Sequence, residues 1–91
     1  MMISFQECLD FSDLTEEEVD AIAEHERIPQ GAALEMGVYL LGRPDGIATI
    51  ARMIRDDLNE ARQRGDLTRV VSLKKALAHL LSLHPERPRH T

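Results

Sequence analysis

The sequence predicts an all-α fold, a single compact antiparallel bundle of about five helices. Apolar residues recur at three- and four-residue spacing in the longer segments, which is the helical period. Ser/Thr-x-x-Glu motifs mark two helix starts, and proline or glycine separates the later segments. No segment has the alternation of a strand. The predicted helices cover residues 4–11, 15–27, 29–41, 46–64 and 67–84.

The first two helices are predicted from capping boxes, in which an N-cap side chain and a glutamate satisfy each other's free backbone amides. Ser4 with Glu7 forms the first box, and Thr15 with Glu18 forms the second. Pro29 then ends the second helix and suits the first turn of the third, because the residue before a proline avoids the helical region.

The third predicted helix is apolar almost all round, so we expect it to be buried on most sides. Ala33 and Gly37 lie four residues apart and would let another helix approach closely. After this helix, we expect Gly42 to be a left-handed C-terminal residue and Asp45 to cap the next helix.

The fourth predicted helix is amphipathic, with charges opposite its apolar stripe. Arg52–Asp56 and Glu60–Arg64 are each four residues apart and are predicted to pair on the solvent face. The fifth helix has a wide apolar face and is predicted to end at His84, before Pro85.

Ninety-one residues are enough for one domain, which we assign to residues 1–84, followed by a short flexible tail over residues 85–91. The single cysteine fits a reducing compartment. No apolar run approaches the roughly 18–20 residues that cross a bilayer, and no basic-then-apolar leader opens the chain. We therefore expect a cytoplasmic protein without a membrane partner.

The formal net charge is −5, but the two halves of the chain differ in sign. Residues 1–41 contain ten acids and one base, giving −9, whereas residues 42–91 contain six acids and ten bases, giving +4. Either the two halves attract each other, within the fold or across a dimer, or the acidic half forms a surface for a basic protein partner. The candidate docking face for such a partner lies on the outer side of the second helix and consists of Glu16, Glu17, Asp20 and Glu24. The alternative is that these residues form a plain solvated face.

A nucleic-acid partner is not expected, because the bases are scattered and lack neighbouring aromatic residues for stacking. The segment around residues 14–30 superficially resembles the entry to a helix-turn-helix motif. Residues 31–42, in the place of a recognition helix, contain no base and only one charge, Glu35. This motif is therefore rejected.

Catalytic chemistry is not indicated either. The chain has no Gly-x-Ser-x-Gly elbow and no phosphate-binding glycine loop. Cys8 falls on the apolar side of a short helix with Phe5 and Leu9, so we expect it to be a small buried hydrophobe. We predict a protein that is not an enzyme, with no catalytic residues and no cofactor.

No metal site is predicted from the histidines, since neither an acid nor a histidine lies three or four residues before His25, His79 or His84. A metal would need ligands from separate helices, for which His25, Glu26 and His84 are the candidates.

Three charged or polar side chains fall inside apolar stripes: Glu26 in the second helix, and Lys74 and His84 in the fifth. One hypothesis pairs Glu26 with Lys74 or His84 in the interior. The alternative is that the helix frays at Glu26 and that Lys74 reaches water along its aliphatic stem.

The predicted function is a small non-enzymatic interaction module that self-associates, most simply as a symmetric homodimer. A chain this short has a limited core of its own, and its third helix is more apolar than a monomer needs. Glu35 and Tyr39 form either a polar edge to this contact or the strip that the helix exposes to water. The alternative function is a small metal- or ligand-binding helical protein. The predicted interface residues are Leu34, Glu35, Val38, Tyr39 and Leu41.

Overall fold

The computed structural model describes residues 4–83, which form a bundle of five α-helices and contain no strand. The all-α prediction is therefore confirmed, and the helix boundaries that fall within residues 4–83 lie within one residue of those expected. The predicted end of the fifth helix at His84 and the predicted tail over residues 85–91 lie outside the described residues. No helix in this range combines the length and apolarity needed to span a membrane. The helices are α1 (Phe5–Phe11), α2 (Glu16–Glu26), α3 (Gln30–Leu41), α4 (Gly46–Arg64) and α5 (Leu67–Leu83).

Both capping boxes are present. The Ser4 hydroxyl accepts a hydrogen bond from the Glu7 amide at 3.1 Å, and the Glu7 carboxylate lies 3.5 Å from the Ser4 amide. At the start of α2, the Thr15 amide donates to Glu18 Oε1 at 2.7 Å, and the Thr15 hydroxyl accepts from the Glu18 amide at 3.3 Å. These bonds satisfy backbone donors that have no partner within the helix.

The turn between α3 and α4 differs from the prediction. Gly42 has φ −81°, so it is not a left-handed residue, and Asp45 makes no side-chain cap. The amide of Arg43 donates to the Leu40 carbonyl at 2.9 Å, and the Gly46 amide donates to the Arg43 carbonyl at 3.1 Å. Because these bonds continue a right-handed turn beyond α3, no left-handed residue is needed. Among residues 4–83, the left-handed positions are Arg27 (φ 56°), after α2, and Gly65 (φ 72°), after α4.

Helix α2 packs against α3, α4 and α5, and the most extensive contact in the bundle joins α4 to α5. The short α1 buries Leu9 in the core, and its Phe5 packs against the core while only partly buried. The core is aliphatic, as the scarcity of aromatic residues requires. Its largest fully buried apolar side chains are Val19, Ile22, Ile50, Ile54, Leu73 and Leu80.

Helix α3 is buried on one side only, which corrects the expectation of burial on most sides. Ala33 and Gly37 face inward, and a Cβ built on Gly37 would lie 2.6 Å from Leu14 Cδ1 and 3.2 Å from Ile22 Cδ1. The predicted close approach at this small-residue pair is therefore confirmed. The opposite side of the helix leaves Val38 and Tyr39 exposed.

Several contacts of acidic side chains join the acidic first half of the chain to the second half. Glu24 Oε2 lies 2.7 Å from Arg69 Nη2, and Glu18 Oε2 lies 2.8 Å from His79 Nδ1. Glu60 and Arg64 pair as predicted, at 3.5 Å. Attraction between the two halves thus acts within the fold.

Candidate functional site

An apolar groove lies between α1 and α3, and we call it the α1–α3 groove. It encloses about 570 Å³. It is lined by Phe5, Cys8, Gly31, Leu34, Glu35, Val38 and Tyr39.

The groove continues into a larger apolar surface. A smaller pocket of about 310 Å³, lined by Cys8, Phe11, Ser12 and Val38, adjoins it and shares two of its residues. Phe11 is 86% exposed, Tyr39 63% and Val38 50%. Large apolar side chains clustered in this way on a small protein are typical of an interaction surface.

Cys8 lies in both pockets and is exposed, so the prediction that it is buried is wrong. The reason is that α1 has only seven residues and buries Leu9 alone. The apolar side of α1 that carries Phe5 and Cys8 therefore borders the groove.

The predicted interface residues occupy two different environments. Leu34 is buried and Leu41 is half-buried against the core, whereas Glu35, Val38 and Tyr39 are exposed at the groove. The Tyr39 hydroxyl accepts a hydrogen bond from Arg43 Nη1 at 2.9 Å, and the Arg43 guanidinium carbon lies 5.6 Å from the ring centroid.

A second, polar pocket lies between α2 and α4, and we call it the acidic pocket. It encloses about 460 Å³. It is lined by Glu24, His25, Arg27, Asp56, Asp57 and Glu60.

His25 connects the two walls of the acidic pocket. Its Nδ1 lies 2.9 Å from Glu26 Oε2, and its Nε2 lies 3.2 Å from Asp56 Oδ2. Partial burial alone would lower the pKa of His25, but hydrogen bonds to Glu26 and Asp56 and the charge of Asp57 outweigh it. The pKa of His25 is therefore raised above its ordinary value.

Asp57 is the buried acid of this pocket, only 5% exposed, and its Oδ2 has no hydrogen-bond partner. Burial raises the pKa of Asp57 to about 6, against the opposing charges of His25 and Arg69. Arg69 Nη2 lies 2.7 Å from Glu24 Oε2, but Nη2 and Nε of Arg69 are also buried without a hydrogen-bond partner.

Comparison with protein-family models, curated proteins and solved structures finds no match for this chain. The functional conclusion therefore rests on its own residues.

The candidate metal ligands are only partly brought together. His25 and Glu26 are in contact, but as sequence neighbours on the last turn of α2. Within residues 4–83, no three histidine, cysteine or acidic side chains are arranged to hold a metal ion. His84 lies outside the described residues.

The hypothesis of an internal pair between Glu26 and Lys74 is wrong, because both side chains are exposed and Glu26 contacts His25. Helix α2 ends at Glu26, and the chain turns left-handed at Arg27, so the apolar stripe does not continue to this position. The predicted pairing of Arg52 with Asp56 is also wrong, because Asp56 contacts His25 of α2 instead.

The candidate acidic docking face is partly occupied by contacts within the chain. Glu24 contacts Arg69, and Asp20 accepts a hydrogen bond from the Gln30 side-chain amide. Glu16 and Glu17 are exposed.

Sequence reasoning missed the burial of Glu18 and Asp57. Asp57 follows Ile54 by three residues and precedes Ala61 by four, which places it within the apolar stripe of α4. That spacing was available as a signal. Glu18 was identified only as a capping residue, and its partner His79 lies 61 residues away.

Proposed function

We propose that this protein is a small interaction module that forms a symmetric homodimer through the α1–α3 groove. The observation that carries the proposal is the exposed apolar surface of Val38 and Tyr39 at the groove and of Phe11 at the adjoining pocket. A second copy that covers these side chains would remove apolar area from water. This burial stabilises the dimer by roughly 25 cal/mol per Å². The exposed thiol of Cys8 favours the cytoplasm, where thiols remain reduced.

The charges beside the groove support a two-fold contact. Glu35, Tyr39 and Arg43 follow each other at intervals of four residues, so opposite charges flank the tyrosine. In a symmetric dimer, the same surface of both protomers meets across a two-fold axis. The residues of one protomer therefore run in the opposite direction to those of its partner. A two-fold axis near Tyr39 would therefore bring Glu35 of one protomer opposite the partner's Arg43.

The test compares two valines of equal exposure. Val38 lies at the groove and is 50% exposed, while Val71 lies on α5 and is 52% exposed. We expect Val38→Glu to give a monomer in light scattering, because it places a charge in the contact, and Val71→Glu to retain the dimer. Leu34→Glu is unsuitable because Leu34 belongs to the core.

A charge exchange tests the two-fold arrangement separately. Glu35→Arg and Arg43→Glu should each weaken the dimer by placing like charges opposite each other, and the double variant should restore it. Equal masses for Val38→Glu and Val71→Glu, with both folded by circular dichroism, would contradict the proposed interface.

A further inference from the structure

The outer side of α4 carries a row of exposed arginines. Arg52, Arg55 and Arg62 are separated by three and seven residues, so they lie on one face of the helix. Asp56 and Glu60 lie on the side of α4 that meets α2, where they line the acidic pocket. The arginine row lies beside that side and is turned away from α2.

Helix α5 exposes a face that is both apolar and basic. Leu67 is 74% exposed and Val71 is 52% exposed, and the exposed Lys74 follows Val71 by three residues on the same face. The contacts of α5 with acids of α2 come from another side of the helix, through Arg69 and His79. This face of α5 is therefore also turned away from α2.

The exposed faces of α4 and α5 adjoin. The two helices share the most extensive contact of the bundle and are joined by a two-residue turn, so they lie antiparallel and side by side. Because both faces are turned away from α2, they lie on the same outer side of the pair. We call this combined surface the basic face, and its residues are Arg52, Arg55, Arg62, Leu67, Val71 and Lys74.

The bases of the second half of the chain differ in their pairing according to position. Where α2 meets α4 and α5, Arg64 Nη2 lies 4.0 Å from Glu24 Oε1 and Arg69 Nη2 lies 2.7 Å from Glu24 Oε2. The bases of the basic face that form no ion pair within residues 4–83 are Arg52, Arg62 and Lys74. Their charges are therefore not balanced by a neighbouring acid in this range.

The composition of the basic face favours an acidic amphipathic helix as its partner. Its positive charges complement carboxylates, and Leu67 and Val71 present apolar surface at the four-residue spacing at which the anchors of a docked helix recur. Single-stranded nucleic acid is disfavoured because the face has no aromatic residue on which bases could stack. A membrane surface is disfavoured because two aliphatic side chains are a small apolar area for insertion.

We propose that the basic face binds an acidic amphipathic helix of a partner protein. Carboxylates of the partner would pair with Arg52, Arg62 and Lys74, and its apolar residues would cover Leu67 and Val71. This inference is independent of self-association, because the basic face shares no residue with the lining of the α1–α3 groove.

The experiment is a titration of the full chain with a synthetic glutamate–leucine peptide whose leucines recur at helical spacing. A peptide of the same length and glutamate content, with serine in place of leucine, shows how much of the binding is due to charge alone. Backbone amide chemical shifts and calorimetry follow the binding. We expect saturable shifts at residues of the basic face, with the glutamate–leucine peptide binding at least about tenfold more tightly than its serine counterpart.

Two arginines of α4 provide a matched pair of variants. Arg62→Gln, on the basic face, should weaken binding of the glutamate–leucine peptide about threefold, because an exposed ion pair is lost. Arg64→Gln makes the same change of charge on the side of α4 that meets α2, and it should leave the affinity unchanged.

The apolar contribution is tested at Val71. Val71→Ser should weaken peptide binding about fivefold or more, and Val71→Ile should retain it, because isoleucine keeps the apolar surface. Circular dichroism checks that each variant is folded.

A short DNA duplex and phosphatidylserine vesicles test the other classes of partner under the same conditions. Equal or tighter binding of either at the basic face would overturn the proposal. Absence of saturable shifts with the glutamate–leucine peptide, equal binding of its serine counterpart, or full binding by both Arg62→Gln and Val71→Ser would also overturn it.

Discussion

At the scale of single residues, Glu18 illustrates how this chain tolerates a buried acid. Its side chain is fully buried, yet each carboxylate oxygen has a donor, the Thr15 amide at 2.7 Å and His79 Nδ1 at 2.8 Å. A buried carboxylate costs the least free energy when both oxygens are paired in this way. The same residue therefore caps α2 and links it to α5.

Removing the histidine should leave one oxygen of Glu18 buried without a donor. We expect His79→Ala to lower the free energy of unfolding by about 1 to 3 kcal/mol. Lys75→Ala, at an exposed position of the same helix, is the control. Urea denaturation measures both, and equal stabilities would contradict the role assigned to this pair.

The acidic pocket predicts how stability depends on pH. The pKa of Asp57 rises from 3.8 to about 6 on folding, so the folded chain holds the proton more tightly and gains stability as the pH falls through this range. Glu24, Glu60, His25 and Arg69 act on Asp57 from three helices. The pKa of His25 is also raised, and its contribution is lost as the pH rises through the folded value.

We therefore expect a higher Tm at about pH 5 than at about pH 8. In Asp57→Asn, the Tm at about pH 8 should rise and the difference between the two pH values should shrink, because the buried charge is gone. Differential scanning calorimetry checks both. A wild-type Tm that falls on mild acidification, or an unchanged pH difference in the variant, would contradict this assignment.

At the scale of helices, local chemistry was enough to predict most boundaries. Capping boxes at Ser4 and Thr15 and the break at Pro29 act within a few residues, and the structure confirms them. The exposure of Cys8 and the right-handed turn at Gly42 were not predicted. Both depend on how α1 and the α3–α4 turn lie against the rest of the chain, which local spacing does not contain.

Gly31, at the start of α3, and Gly46, at the start of α4, should respond in opposite ways to substitution by alanine. A Cβ on Gly46 would lie 1.5 Å from the Leu40 carbonyl oxygen, whereas a Cβ on Gly31 meets nothing within 4 Å. Gly46→Ala should destabilise the fold by about 1 to 3 kcal/mol or more. Gly31→Ala should stabilise it by up to about 1 kcal/mol, through helix propensity. Thermal unfolding of both variants checks this, and a stable Gly46→Ala protein would contradict the close approach.

At the scale of the whole molecule, the opposite charges of the two halves meet across the fold. Glu24 Oε2 lies 2.7 Å from Arg69 Nη2, and Glu24 Oε1 lies 4.0 Å from Arg64 Nη2. The sequence predicted attraction between the halves, but not these pairs, because the order of helix packing decides which residues meet. The candidate site was likewise predictable from the sequence only in part. The apolar character of α3 indicated a surface, whereas the exposure of Val38 and the burial of Leu34 required the fold.

The most direct test of the account is the solution mass of the wild-type chain, measured by sedimentation equilibrium over a range of protein concentrations. We predict a mass approaching twice 10.3 kDa as the concentration rises into the high micromolar range. The Val38→Glu chain should stay near 10.3 kDa under the same conditions. A wild-type chain that remains at the monomer mass at the highest concentration would contradict self-association through the α1–α3 groove.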